Sequence, residues 1–315
     1  MGRLILRRLL LLVPTLLILS VVVFLMLQVV PGDPGRVKLG PYASASQVAQ
    51  VDHQLGVDRP LPVRYATWLG GFLILHWGTS WDRGEAIFPL TMRSLWNSIQ
   101  LALVALLIVV PLSVLLGVVA ALRRDGIADR VITVASLSLT VVPEFVSGVV
   151  LAVLFVVFVR VFHFPPTPPA GADPFTRVYY LLLPAIPLMF VELGYIARMA
   201  RAGMIEALSM PYIRTATLNG LPRRRVVLGH ALRNAMAPTV AVIGTQIGWF
   251  VGGLVIIETL FVYPGIGQLI ASSALVKDLP TLEASVLVVA VIYMLSNLTA
   301  DVIVALLDPR VRYGR

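Results

Sequence analysis

An all-α integral membrane protein with six transmembrane helices is the fold class this sequence predicts, on three observations. The 315-residue chain is 58% hydrophobic and only 13% charged, with a mean hydropathy of +0.90, far from the balance of a soluble domain. Several apolar runs exceed the ~18 residues that span a bilayer. Basic residues gather in alternate loops, the pattern that marks cytoplasmic segments.

The first span is predicted over 9–30, behind Arg3, Arg7 and Arg8. Its length of about 33 Å as a helix exceeds a signal-peptide core of roughly 7–15 residues, and "VVPGDPG" offers no small-x-small cleavage site. A polar, turn-rich segment, 31–95, follows and is read as extracytoplasmic. Its Trp68, Trp77 and Trp81 suit either interfacial anchoring or a docking surface for an external partner. Further spans are expected at 101–122, 131–162, 179–197, 238–260 and 284–307. The third is over-long, so one end belongs in the interface, and Pro143 is placed to kink it. Pro184 and Pro187, inside the fourth, free backbone groups that neighbouring helices or water must satisfy. That requirement implies a packed bundle, read as a single domain over 1–315.

Of the 25 Lys and Arg, only Arg36, Lys38, Arg59, Arg64, Arg83, Arg93, Arg160, Arg177 and Lys277 fall on the side of segment 31–95. The rest fall on the side of both termini and of the loop 198–237, which are therefore read as cytoplasmic. The net charge of +9 reports this orientation; no basic domain lies outside the spans, so nucleic acid is not an expected partner.

Composition also excludes chemistry. Without cysteine, disulfides, thiolate zinc sites, iron–sulfur clusters and cysteine nucleophiles are out. His53, His76, His163 and His230 are scattered, with no HExxH, so no metal site is expected. No serine stands in a GxSxG context. There is no Gly-Lys pair and hence no phosphate-cradling GxxxxGK[ST], so the chain is not expected to hydrolyse nucleotide or to bind a cofactor.

The loop 198–237 is the densest functional signal. "PYIRTATLNGLPRRRVVLGHALRNAMAP" concentrates Arg214, Arg223, Arg224, Arg225 and Arg233 between helix punctuation marks. Pro211 suits a first turn, Gly220 a helix stop, and Pro222 opens a second helix toward Ala235. Within the first helix Tyr212, Ala216 and Gly220 fall on one stripe, where small residues let another backbone approach and the aromatic can fill a pocket. Retention of the loop beside anionic lipid is one reading; two punctuated helices favour the other, a docking element.

This window resembles the EAA loop of ATP-binding-cassette importer permeases, in the form typical of the dipeptide and oligopeptide (peptide/nickel) family. Thr215 and Ala216 stand at the second and third motif positions and Gly220 at the fixed glycine. Arg214 replaces the acidic first residue, and His230, Ala231, Leu232 and Arg233 replace the general Ile-x-Leu-Pro ending, as is usual in the peptide branch. "VVPGDP", "LGVDRPLPVRY", "VVPEF", "ETLFVYPGIGQLI" and "LDPRVRYG" extend the resemblance along the whole chain.

The resemblance implies a type I importer permease bundle in the bacterial cytoplasmic (inner) membrane. It implies two ATPase subunits carrying ATP and Mg, a second homologous permease subunit, an extracytoplasmic substrate-binding protein and a peptide substrate. Tyr212, Ile213, Arg214, Thr215, Ala216, Gly220, Leu221 and Arg223 become the expected ATPase-coupling residues. Nickel, glutathione or another peptide-like solute is the alternative cargo, and a proton-coupled secondary transporter the alternative class.

Glu144, Glu192, Glu258 and Asp301 fall in or near apolar runs. On a lipid face an acid costs at least about 2.5 kcal/mol, so these are expected to face the bundle or a wet cavity. Structural or interfacial placement, lining of a path for a zwitterionic cargo, and proton coupling are three readings that the sequence leaves open.

Overall fold

A computed structural model describes residues 2–29, 34–40, 42–56, 58–169 and 171–307. Helices account for nearly all of it, and no β-strand occurs among the described residues. In order they are α1 (Gly2–Val29), α2 (Pro34–Leu39), α3 (Ala45–Leu55), α4 (Leu61–Leu73), α5 (Ile87–Leu122) and α6 (Ile127–Val141). There follow α7 (Glu144–Ala152), which runs on as a π-helical stretch Val153–Phe158, α8 (Pro174–Ser209), α9 (Pro211–Leu218) and α10 (Arg223–Arg225). A second π-helical stretch, Val226–Ala231, leads into α11 (Leu232–Leu260), and α12 (Ile266–Val276) and α13 (Leu279–Leu307) complete the chain.

Among the described residues three helices are long and apolar enough to cross a membrane unaided: Ile87–Leu122, Pro174–Ser209 and Leu279–Thr299. Two bent pairs, Ile127–Val141 with Glu144–Phe158 and Arg223–Met236 with Pro238–Gln246, are long and apolar enough only when each pair is taken together, and Leu10–Met26 is a shorter apolar helix. The expected span over 131–162 is thus two helices meeting at 98°, a sharper event than a kink. Pro143 disfavours helical backbone at the preceding residue, and Val142 is extended at φ −71°, ψ 121°. Expected span ends also move outward: α5 begins at Ile87, within the segment read as extramembrane, and α8 has 36 residues. At ~1.5 Å per residue such a helix outreaches a ~30 Å hydrocarbon core, because continuing its internal hydrogen bonds is the cheapest way to satisfy the backbone.

The chain divides into two compact units. One comprises Gln100–Tyr263 with Leu295–Arg315, the other Gly2–Ile99 with Pro264–Met294. In the first, α8 is the central helix. Between Leu181 and Met189 it is buried on nearly every side, Pro184 and Pro187 included. Glycines set its crossings: a Cβ on Gly117 of α5 would lie 2.5 Å from the Ala197 carbonyl oxygen, and one on Gly203 would lie 2.6 Å from that of Ala235 on α11. Gly194 likewise abuts Ser136 and Thr140 of α6. In lipid no hydrophobic force pulls helices together, so this close backbone approach supplies the dispersion contact that holds the bundle. At the start of α8 the Thr176 hydroxyl and the N–H groups of Thr176 and Phe175 donate to Asp173. Those bonds hold its carboxyl below the usual carboxylate range.

In the second unit, Trp68 and Trp77 of the predicted extracytoplasmic segment make ring contacts, and Trp81 is held through its backbone. Phe24 of α1 meets Tyr65 and Trp68 of α4, and Phe72 stacks on Trp77 at 4.7 Å, which meets Phe88 of α5 edge-on at 5.0 Å. Trp81 donates its backbone N–H to Asp278, whose buried carboxylate also accepts from the Ser80 and Thr281 hydroxyls.

Candidate functional site

The arginine-rich loop folds as local rules demand. Met210 precedes a proline and is extended, at φ −71° and ψ 146°, which separates α9 from α8. The far end of α9 is closed by a double turn: the Gly220 N–H donates to the Thr217 carbonyl at 3.0 Å and the Leu221 N–H to that of Ala216 at 3.3 Å. This closure places Gly220 in the left-handed region, φ +76°, where a Cβ is disfavoured. Beyond Pro222 the expected second helix does not stop near Ala235. It runs through the π-helical stretch into α11, continuous in backbone but bent by 50° between Met236 and Pro238, just past the predicted end.

The two faces of α9 differ. Ile213 and Ala216 are buried in a cluster with Val118 and Ala121 of α5, Met204 and Ala207 of α8, and Val226, Val227 and Ala231. Leu221 packs at its edge. The other face is open: Arg214, Thr215 and Gly220 are exposed, Leu218 is 77% exposed, and Tyr212 is 38% exposed while its hydroxyl accepts from Asn234 at 3.1 Å. Arg223, Arg224, Arg225 and Arg233 are also exposed. The expected stripe of Tyr212, Ala216 and Gly220 is therefore split: Ala216 faces its own chain, because α5 and α8 present small side chains that accept it. A cavity of about 320 Å³ opens beside α9, lined by residues including Leu122, Leu208, Ile213, Leu221 and Arg223.

A brace underlies this surface that sequence reasoning missed. Asp129, buried at the start of α6, accepts two charge-assisted bonds from Arg201 of α8, Nε at 2.6 Å and Nη2 at 2.7 Å. The Asp125 N–H and the Thr133 hydroxyl satisfy the remaining lone pairs. The signal available was one of two aspartates among the arginines of "RRDGIADR", but its partner lies 72 residues away.

Of the four predicted acids the structure brings two together. Glu192 in mid-α8 is 3% exposed, hydrogen-bonded by Gln246 of α11 and within electrostatic reach of half-buried Glu144. Glu258 is fully buried near the end of α11, in reach of Tyr263, which Arg177 also reaches. The Asp301 side chain lies outside the described residues. No group of three or more metal-ligating side chains occurs among the described residues.

Residues 113–313 match the family described as binding-protein-dependent transport system inner membrane component, and residues 1–116 match its N-terminal companion. The chain belongs to this family. Relatives include the probable peptide ABC transporter permease protein y4tP of Sinorhizobium fredii, 33% identical over 99% of this chain and 100% of that protein. The oligopeptide transport system permease protein AppB of Bacillus subtilis is 33% identical over the same shares. The glutathione transport system permease protein GsiC of Salmonella typhi is 35% identical over 98% of each chain. As a family member the chain is a multi-pass inner-membrane permease of an ATP-binding-cassette importer and not an enzyme. ATPase and substrate-binding proteins are the partners of such a permease, and an EAA motif with a coupling helix is typical of the family.

Proposed function

We propose that this chain carries di- or oligopeptides across the membrane by alternating access, with α9 as the element that receives the push of ATP-driven closure. The observation that carries the reading is the two-sided seating of α9. Ile213 and Ala216 lock it to α5, α8 and the stretch Val226–Ala231, while Tyr212, Arg214, Thr215, Leu218 and Gly220 stand open to a partner. A capped helix seated this way moves as a body, and packed interfaces switch between discrete arrangements instead of stretching.

In this reading two ATPase subunits hold the ATP and Mg, a second homologous permease completes the path, and a binding protein delivers cargo from outside. The chain crosses six times, with both termini and the loop 198–237 in the cytoplasm and the arginines beside α9 near anionic headgroups or the ATPase. Peptide cargo rests on relatives such as the two peptide permeases above; the 35% identity to the glutathione permease supports that tripeptide-like solute as a second reading. Vesicles containing the complete assembly and its binding protein are expected to accumulate labelled peptides only with ATP inside the ATPase-accessible compartment. Accumulation of glutathione but no other peptide selects the second reading, and uptake by this chain without ATPase subunits refutes both.

A further inference from the structure

The junction of α7, α8 and α11 has an unusual charge inventory. Glu192 is nine-tenths buried or more, one carboxylate oxygen is engaged by Gln246, and the other, Oε2, has no hydrogen-bond partner. Glu144 opens α7 beside it, and its carboxyl rests on the bare backbone of Gly253: a Cβ there would lie 2.5 Å from Oε2 and 2.8 Å from Oε1. The ion pairs among the described residues involve neither acid. A buried and a half-buried carboxyl group side by side without a cation repel each other, and the buried one is poorly solvated, an arrangement that one bound positive charge relieves.

A second observation points the same way. The 98° break between α6 and α7 falls directly before Glu144. Irregular backbone at membrane depth persists only where it is buried in protein or lines a polar passage, and interrupted helices commonly border transport sites. The acceptors available are the Glu144 oxygens and Glu192 Oε2, with Gln246 holding the last oxygen in place. Three acceptors match the three N–H donors of an alkylammonium. They fall short of the six or more oxygens that a divalent cation such as calcium prefers.

We propose that Glu144 and Glu192, oriented by Gly253 and Gln246, form a transient station for the protonated amine of the cargo as it passes through the permease. The proposal rests on the peptide-import reading and adds to it a named contact inside the membrane. Affinity stays with the external binding protein, and the station compensates the amine's charge during transit. One unpaired acid beside a passing ammonium is enough to favour free-amine cargo over the same peptide with its amine blocked.

The test uses the complete transporter in proteoliposomes with saturating binding protein. It compares import of a labelled tripeptide with that of its N-acetylated form, in wild type, Glu144→Gln, Glu192→Gln and Gly253→Ala. Each variant is read as the ratio of the two rates relative to wild type, which cancels any preference of the binding protein. The expected result is a fall of about tenfold in the free-amine preference for both Gln variants, as for loss of one charge-assisted hydrogen bond. Gly253→Ala, which displaces the Glu144 carboxyl without removing it, is expected to lower the preference part-way, so the station is still probed if a Gln variant fails to assemble. An unchanged preference in the assembled variants overturns the proposal while leaving peptide import standing. Equal slowing of both cargoes assigns the pair to a proton and also overturns it. If wild type imports no peptide at all, the underlying reading fails and this one with it.

Discussion

The coupling end of the bundle and its membrane-buried junction use charge in opposite ways. Around α9 the charged side chains are basic and exposed, from Arg214 to Arg233, and the buried contacts are apolar, Ile213 and Ala216 against Val118, Met204 and Val226. At the α7–α8–α11 junction the charged groups are acidic, Glu192 buried and Glu144 half-buried, and the Glu144 carboxyl lies against the bare backbone of Gly253. Exposed arginines lose little solvation and can wait for a protein or lipid partner. Covered carboxylates cannot wait without cost. Under the proposed function, the difference separates a surface that a partner touches from an interior that cargo crosses.

Substitutions should reproduce that contrast in graded form. Gly194→Leu drives a side chain into Ser136 and Thr140 and is expected to be the most damaging, about 3 kcal/mol or more, read as lost thermal stability of the purified chain. Ala216→Leu overfills the inner face of α9 and should cost about 1–3 kcal/mol in the same assay. If Ala216→Leu proved harmless while Thr215→Leu destabilised, the two faces of α9 would be wrongly assigned. Asp129→Asn weakens the Arg201 brace, and because the pair lies at the margin of the bundle a loss of about 1–2 kcal/mol is expected. Gly220→Ala keeps the space but not the backbone freedom at φ +76°, costing roughly 1 kcal/mol.

The smallest effect belongs to Asp173. Because its carboxyl titrates lower in the folded chain than unfolded, its contribution is present above the unfolded carboxylate range and fades as pH falls through the lowered folded value. Protection factors at Phe175 and Thr176, which correct for the slower intrinsic exchange in acid, should therefore fall in Asp173→Ala at neutral pH, and in wild type only on acidification.

What the sequence made legible follows how local each rule is. Pro211, Gly220 and Pro222 impose their backbone angles on any neighbour, so the bounds of α9 were readable before the structure. Which face of α9 turns inward was not, because that depends on Val118 and Ala121 of α5, about a hundred residues earlier. Pro143 announced a disturbance, yet its 98° angle is set by how α7 packs on α8 and α11. The Asp129–Arg201 brace and the Asp278 cluster join residues 72 and 197 or more positions apart, beyond any spacing rule. Gln246 carries no motif at all, and only the fold sets it beside Glu192.

The account depends most on the open face of α9 being held by an ATPase subunit, and Leu218 tests this with least disturbance because it is 77% exposed. Retention of the ATPase subunits on purified complex is the measurement, comparing wild type with Leu218→Glu and Gly220→Glu at matched thermal stability of this chain. Retention is predicted to fall by about tenfold or more, the loss of an interface hot spot, with the permease itself still folded. Full retention by both variants would contradict the docking role of α9.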